Sequence, residues 1–299
     1  MKLEAILSDD PLARDEALGA CSAAPEHERS SFAAKLAVVA REAAATFAAA
    51  VEAGEGTSAH EARFGRACIA LARLRVEVAR SALLRIADEG TTPIKAALAH
   101  ALRETRTAEG RAVLVHLLSD DDVRADAILA IGCAPWPEVL PALIEVAEAD
   151  DHAARLAAAP IARCGASGGP DELNAAADFL LELLDEDAAF DPAIDALLRL
   201  GAAIPAPATA ALVPTVARAK RLTKEPGKRK AAGLCLLAAF GDEGNASFLE
   251  LALSGTKTDE EAVRAFLEPL LVETDECIRT AAERTWRALD LSHVTAPSP

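Results

Sequence analysis

The sequence contains no tyrosine, two tryptophans and one methionine, and aromatic residues make up 3% of it. Strands draw heavily on aromatic and β-branched side chains, so a sheet-built core is disfavoured from the outset. Cationic residues are also short: 31 Lys and Arg stand against 47 Asp and Glu, a formal net charge of −16. Such a surface repels phosphate backbones and anionic bilayers, which argues against general nucleic-acid or lipid binding. The six cysteines (Cys21, Cys68, Cys133, Cys164, Cys235 and Cys277) form no C-x-x-C pair. Set among Ala, Leu and Ile, they read as small hydrophobes in a reducing, cytoplasmic compartment. No stretch approaches the ~18 consecutive apolar residues of a membrane span. The opening residues, Met1 to Asp10, carry acid early and hold too short an apolar run for a secretory signal. Motifs of the P-loop, G-x-G-x-x-G and H-E-x-x-H kinds are missing as well, and the Gly-rich run Gly165-Ala166-Ser167-Gly168-Gly169-Pro170 follows an expected helix where a nucleophile or phosphate loop needs a strand, so it reads as a loop with a helix cap.

What is abundant is alanine and leucine, which supply most of the 52% hydrophobic content. Both lead the helix-propensity scale, so the expected class is all-α. One stretch sets the pattern for the rest. Ser119-Asp120-Asp121-Asp122 is a loop of capping residues, followed by an Ala-rich amphipathic helix from Val123 and Arg124 through Gly132 and Cys133. Imperfect copies run from Ser8 to Cys21, from Ile94 to Leu102 and from Ile278 to Leu289. Gly132, Gly165, Gly201 and Gly241, spaced by 33, 36 and 40 residues, are each expected to close such a helix. Partner helices are expected over 111–118, 138–148, 172–184, 206–222, 246–253 and 260–272. Upstream, a long helix from Glu28 to Val51 should end at Gly54-Glu55-Gly56, with Thr57-Ser58 capping the next. Phe64, Ala67, Cys68, Leu71, Leu74, Val78 and Ala82 then form one apolar stripe, compatible with one long helix or with two joined by a turn near Arg75. Pro160 should bend the helix that contains it.

Paired helices repeating every 30 to 40 residues are the mark of an α-solenoid, in which each hairpin must stack on its neighbours to bury its apolar face. The residues Asp122-Val123-Arg124 with Ala127 and Leu129, Ile94-Lys95, Glu261-Ala262-Val263-Arg264 and Ile278-Arg279 resemble the repeat signature of bacterial HEAT and HEAT-like proteins. The units around Gly165 and Gly201 lack the Val-Arg dipeptide and are degenerate. The resemblance implies a right-handed superhelix of hairpins over residues 91–291. A degenerate N-terminal set of repeats or a cap would occupy 1–90, and a disordered tail 292–299. It further implies that Asp122 and Arg124 hydrogen-bond between neighbouring repeats. The function it implies is a non-catalytic scaffold or adaptor, binding another protein on a concave face lined by the second helices and needing no cofactor.

Against that background a few residues stand out. Arg218, Lys220, Arg221, Lys224, Lys228, Arg229 and Lys230 concentrate positive charge within an acidic chain. Cations suit a helix C-terminus, but Lys228, Arg229 and Lys230 begin the next helix, where the dipole disfavours them. The run is therefore a candidate dock for an acidic protein segment or a phosphate, with nucleic acid as an alternative ligand. Trp136, between Pro135 and Pro137, is either a staple at a helix start or a partner anchor; a HEAT-like DNA glycosylase family holds lesions with Trp and Asp beside a basic groove, which the net charge opposes here. His27-Glu28 and His60-Glu61 resemble the iron-binding pairs of deoxyhypusine hydroxylase, a HEAT-repeat enzyme, although that family uses four pairs and this chain has two. A bilin-lyase-like role is a further enzymatic alternative suggested by the family. Arg66, Arg73 and Arg80, seven apart and interleaved with Glu77, read as a solvated face.

Overall fold

The structure, a computed structural model, describes residues 3–103, 105–203, 213–222, 224–225, 229, 232–233, 235–236, 267–272, 279, 282–283 and 286. Among these the regular elements are all helical, with no strand. None of their helices is long and apolar enough to cross a membrane. The chain divides into two compact units, Met1–Pro135 and Trp136–Pro299.

The first unit opens with the short α1 (Leu3–Ile6) and with α2 (Pro11–Ser22). Asp10 caps α2 by accepting the Leu12 N–H at 3.0 Å, and Pro11 occupies the first turn, where its missing N–H costs no helical bond. Next, α3 (Glu26–Ala53) buries Phe32, Leu36, Ala40, Ala43, Phe47 and Ala50, a strict three-and-four spacing. It stops at Gly54, whose φ of +66° is the left-handed conformation that glycine adopts without strain. The returning helix α4 (Ser58–Leu74) packs along α3, with Phe47 and Phe64 stacked at 6.4 Å between ring centroids. The stripe beyond it is two helices: Arg75 is left-handed at φ 53°, and α5 (Glu77–Glu89) starts afresh. The break is stabilised from a distance, because Arg29 of α3 donates to the carbonyls of Leu74 (2.7 Å) and Arg75 (3.4 Å). A guanidinium at a helix C-terminus satisfies orphan carbonyls and complements the dipole. The unit closes with α6 (Thr92–Leu102), α7 (Ala108–Leu117) and α8 (Arg124–Cys133).

These helices alternate between two layers. Packing joins α3 to α5 and α5 to α7 in one layer, and α2 to α4, α4 to α6 and α6 to α8 in the other. Across the layers each of α3 to α7 packs on its successor, and α3 also reaches α6 and α4 reaches α7. Helices on both sides of residue 90, α5 and α6, pack on each other and on α3 within this one unit.

The second unit has the same alternation. After a 3₁₀ turn at Pro137–Val139 come α9 (Leu140–Ala149), α10 (Asp151–Ser167), α11 (Pro170–Glu182), a 3₁₀ turn at Leu183–Asp185, α12 (Phe190–Ala203) and α13 (Val213–Leu222). α9, α11 and α13 share one layer, and α10 packs on α12 in the other. Asp150 caps α10 through the His152 N–H at 3.0 Å, and the Glu172 carboxylate accepts the Gly169 N–H at 2.8 Å to start α11. Pro160 lies buried inside α10, where its ring nitrogen cannot serve the carbonyl of Leu156.

The glycines expected to end helices do something else. Gly132, Gly165 and Gly201 are buried in the last turns of α8, α10 and α12, one or two residues before each helix ends, and none has the positive φ of a left-handed cap. At Gly165 the reason is close approach. A Cβ there would stand 2.4 Å from the Ala176 Cβ and 3.2 Å from the Glu172 carbonyl oxygen, both on α11. Gly241 and Ile278, and the expected helix over 246–253, lie outside the described residues.

Candidate functional site

A concavity lies on the α4–α6 layer of the first unit. Gly65 of α4 faces Ala101 of α6 so closely that a Cβ on Gly65 would meet the Ala101 Cβ at 3.5 Å. Small residues at this contact leave a cavity of about 400 Å³ beside it. Its α4 side follows one helical face from Ser58 through Glu61, Ala62, Gly65, Arg66 and Ile69 to Arg73. Fifteen helical steps of about 1.5 Å make that side roughly 22 Å long. Ala97, His100 and Ala101 of α6, with Arg103 and Thr105 just beyond it, form the other side.

Three guanidinium groups thus line an Ala- and Ile-floored groove in a chain of net charge −16. Two of them are tethered to acids around α2. Arg66 Nη1 meets Asp9 at 2.6 Å, and Arg73 Nη1 meets Asp15 at 3.0 Å. Arg66 is the more enclosed, its side chain 19% exposed, while Asp9 is 92% exposed. The Nε of Arg66 is buried and has no hydrogen-bond partner. Arg80 does not share the groove; it pairs with Glu77 at 3.9 Å on α5. The seven-residue spacing puts all three arginines on one face of a continuous helix, but the turn at Arg75 parts Arg80 from the other two.

The basic run near residues 218–230 resolves differently from one residue to the next. Arg218 forms an ion pair with Asp185. Arg229 donates to the Leu184 carbonyl at 3.1 Å and to Asp187 at 2.7 Å, lies 3.8 Å from Glu225, and covers the Phe190 ring at 4.7 Å from its centroid. Both arginines therefore hold their segments to the turn between α11 and α12, which accounts for charge that looks free in sequence. Arg221 and Lys224 are exposed, Lys220 is half-buried on α13, and Lys228 and Lys230 lie outside the described residues. Trp136 is 5% exposed and its side chain offers a partner almost no surface. Its backbone N–H approaches the Cys164 thiol, whose pKa burial pushes up to about 11.

The ladder expected of Asp122 and Arg124 between repeats takes another form. Arg124 works locally, pairing with Asp121 and donating from Nε to the Leu118 carbonyl at 3.0 Å. Asp122 is exposed. The carboxylate that reaches the preceding hairpin is Asp120, bound by Lys95 of α6 at 2.6 Å. That bond, with the Asp122 backbone N–H at 3.1 Å, holds the Asp120 pKa below its ordinary value. Arg279 is helical and half-buried.

The two His-Glu pairs do not meet. Arg29 contacts Leu74, so the start of α3 lies beside the end of α4. His27 is at that end, and His60, fourteen residues back from Leu74 along α4, is removed by about 20 Å. Among the described residues no three His, Cys, Asp or Glu side chains are grouped as metal ligands. Comparison with family models, with curated proteins and with solved structures finds no match for this chain.

Proposed function

We propose that the protein is a non-catalytic interaction scaffold: an α-solenoid of HEAT-like hairpins that binds another protein across its second helices. The observation that carries this reading is the two-layer alternation within each unit, where helix contacts run to the next helix and the next but one. Stacking of that kind buries each hairpin on its neighbours and leaves long helical faces for recognition without dedicated chemistry. The groove along α4 lies in the second-helix layer, where the reading puts recognition. Arg221 and Lys224 supply a second exposed surface for an acidic partner.

The test is affinity purification from native lysate with quantitative mass spectrometry, comparing wild type with two surface variants. Ala62→Trp fills the groove from an exposed position, and Arg221→Glu with Lys224→Glu reverses the exposed part of the basic segment. A stoichiometric partner lost in one variant supports the scaffold and locates its face. No stoichiometric partner for the wild type at physiological salt would sink the reading.

A further inference from the structure

We propose that the α4–α6 groove receives an acidic peptide segment of a partner protein, and that Asp9 occupies part of that site as an internal substitute for a partner carboxylate. The inference rests on the scaffold reading for its partner class. It rests on the groove alone for its chemistry.

Arg66 carries the argument. A guanidinium offers five N–H donors in a planar fork suited to carboxylates. Arg66 commits Nη1 to Asp9, while its buried Nε has no partner. Leaving a buried charged donor unmet is costly, so an acceptor that reaches that edge when Asp9 gives way is favoured. Asp9 is poorly placed to be the only one. Its side chain is 92% exposed, in the loop ahead of α2, and is readily exchanged for water or a competing acid. Arg73 and Arg103 extend the cationic lining, whereas Glu61 stands at the Ser58 end. That asymmetry sets a direction, with acids favoured toward Arg66, Arg73 and Arg103 and repelled near Glu61. His100 and Thr105 add polar contacts opposite α4, and Ala62, Ile69 and Ala97 leave an apolar floor for aliphatic stems.

The shape favours a peptide over a free small acid. Sites for small molecules enclose most of their ligand. This groove instead follows four turns of α4 along the surface, and its arginines are distributed over its length instead of converging on one point.

The full-length protein, ¹⁵N-labelled, can be titrated with an N-acetylated, C-amidated peptide of alternating Glu and Ala while the arginine Nε–Hε resonances are followed. Saturable movement of the Arg66 Nε–Hε signal is expected, weakened by added salt and at least about tenfold weaker in affinity for Arg66→Gln. Asp9→Asn, an exposed change that leaves the core untouched, should tighten binding about two- to fivefold by removing the competitor. An Arg66 signal that does not move at about 10 mM peptide overturns the proposal. So does unchanged or weaker binding by Asp9→Asn, equal binding of a Lys-Ala peptide, or binding of glutarate as tight as that of the peptide. A silent groove alongside a captured partner would remove this inference and leave the scaffold standing; peptide binding with no cellular partner would do the reverse.

Discussion

Replacing Gly165 by Ala sets two well-characterised effects against each other, and the local geometry decides which should win. In an open helical position Gly→Ala is stabilising by about 0.8–1 kcal/mol, because glycine loses more backbone freedom on folding. Gly19 of α2 is such a position, helical and exposed, with nothing within 4 Å of the methyl that alanine would add. At Gly165 the same methyl would lie 2.4 Å from the Ala176 Cβ and 3.2 Å from the Glu172 carbonyl oxygen. Carbon atoms in contact prefer roughly 3.5–4.0 Å, so α10 and α11 must separate by about 1 Å or more. Overpacking of this kind costs about 1–3 kcal/mol. The propensity gain offsets about 1 kcal/mol at most, which leaves a net loss of up to about 2 kcal/mol. Urea unfolding followed by circular dichroism should show Gly165→Ala lowering the midpoint and Gly19→Ala raising it. Adding Ala176→Gly to Gly165→Ala should recover more stability than Ala176→Gly alone would predict, because it removes the clashing methyl. A Gly165→Ala protein as stable as wild type would refute the close-contact reading of this helix crossing.

Four further outcomes follow from particular contacts and exposures. Lys95→Met breaks the 2.6 Å bond to Asp120, whose side chain is 26% exposed, and should cost about 1 kcal/mol near neutral pH after allowance for solvent screening. Because Asp120 has its folded pKa lowered, its contribution is present above the ordinary carboxylate range and fades as pH falls through the folded value. The stability gap between wild type and Lys95→Met, measured by denaturant titration at several pH values, should therefore narrow below about pH 4. Arg229→Lys keeps the charge but loses the planar fork over Phe190 and at Asp187, and should destabilise by about 1–2 kcal/mol in thermal melts. Arg221→Glu, at an exposed position, should stay within about 0.5 kcal/mol. Iodoacetamide with peptide mapping should label exposed Cys133 in the native protein well before buried Cys68 and Cys164, whose thiol pKa values burial raises, and denaturation should erase the difference.

Where the local pattern is the cause, the sequence is readable. The three-and-four spacing from Phe32 to Ala50, the Asp10-Pro11 start of α2 and the Gly54 stop of α3 are each decided within a few residues. Hence the all-helical class and most helix positions can be anticipated. Where two distant segments must meet, the same residue types admit more than one role. Arg75 gives no sign of a left-handed turn; its carbonyl and that of Leu74 are held by Arg29, more than forty residues earlier. Gly165 resembles a helix terminator because glycine serves both for positive φ and for close approach, and only Ala176 distinguishes the two. In Asp120-Asp121-Asp122 the loop's path, not the residue type, decides which carboxylate reaches Lys95. The candidate site follows the same logic. The heptad of Arg66 and Arg73 is visible in sequence, but a groove requires α6 to lie beside α4 and Asp9 to reach Arg66. Conversely, Arg218 and Arg229 look free only because Asp185 and Asp187 lie more than thirty residues before them. In a chain with an excess of carboxylates, a run of cations is therefore weak evidence for a partner until the internal acids near it in space have been assigned.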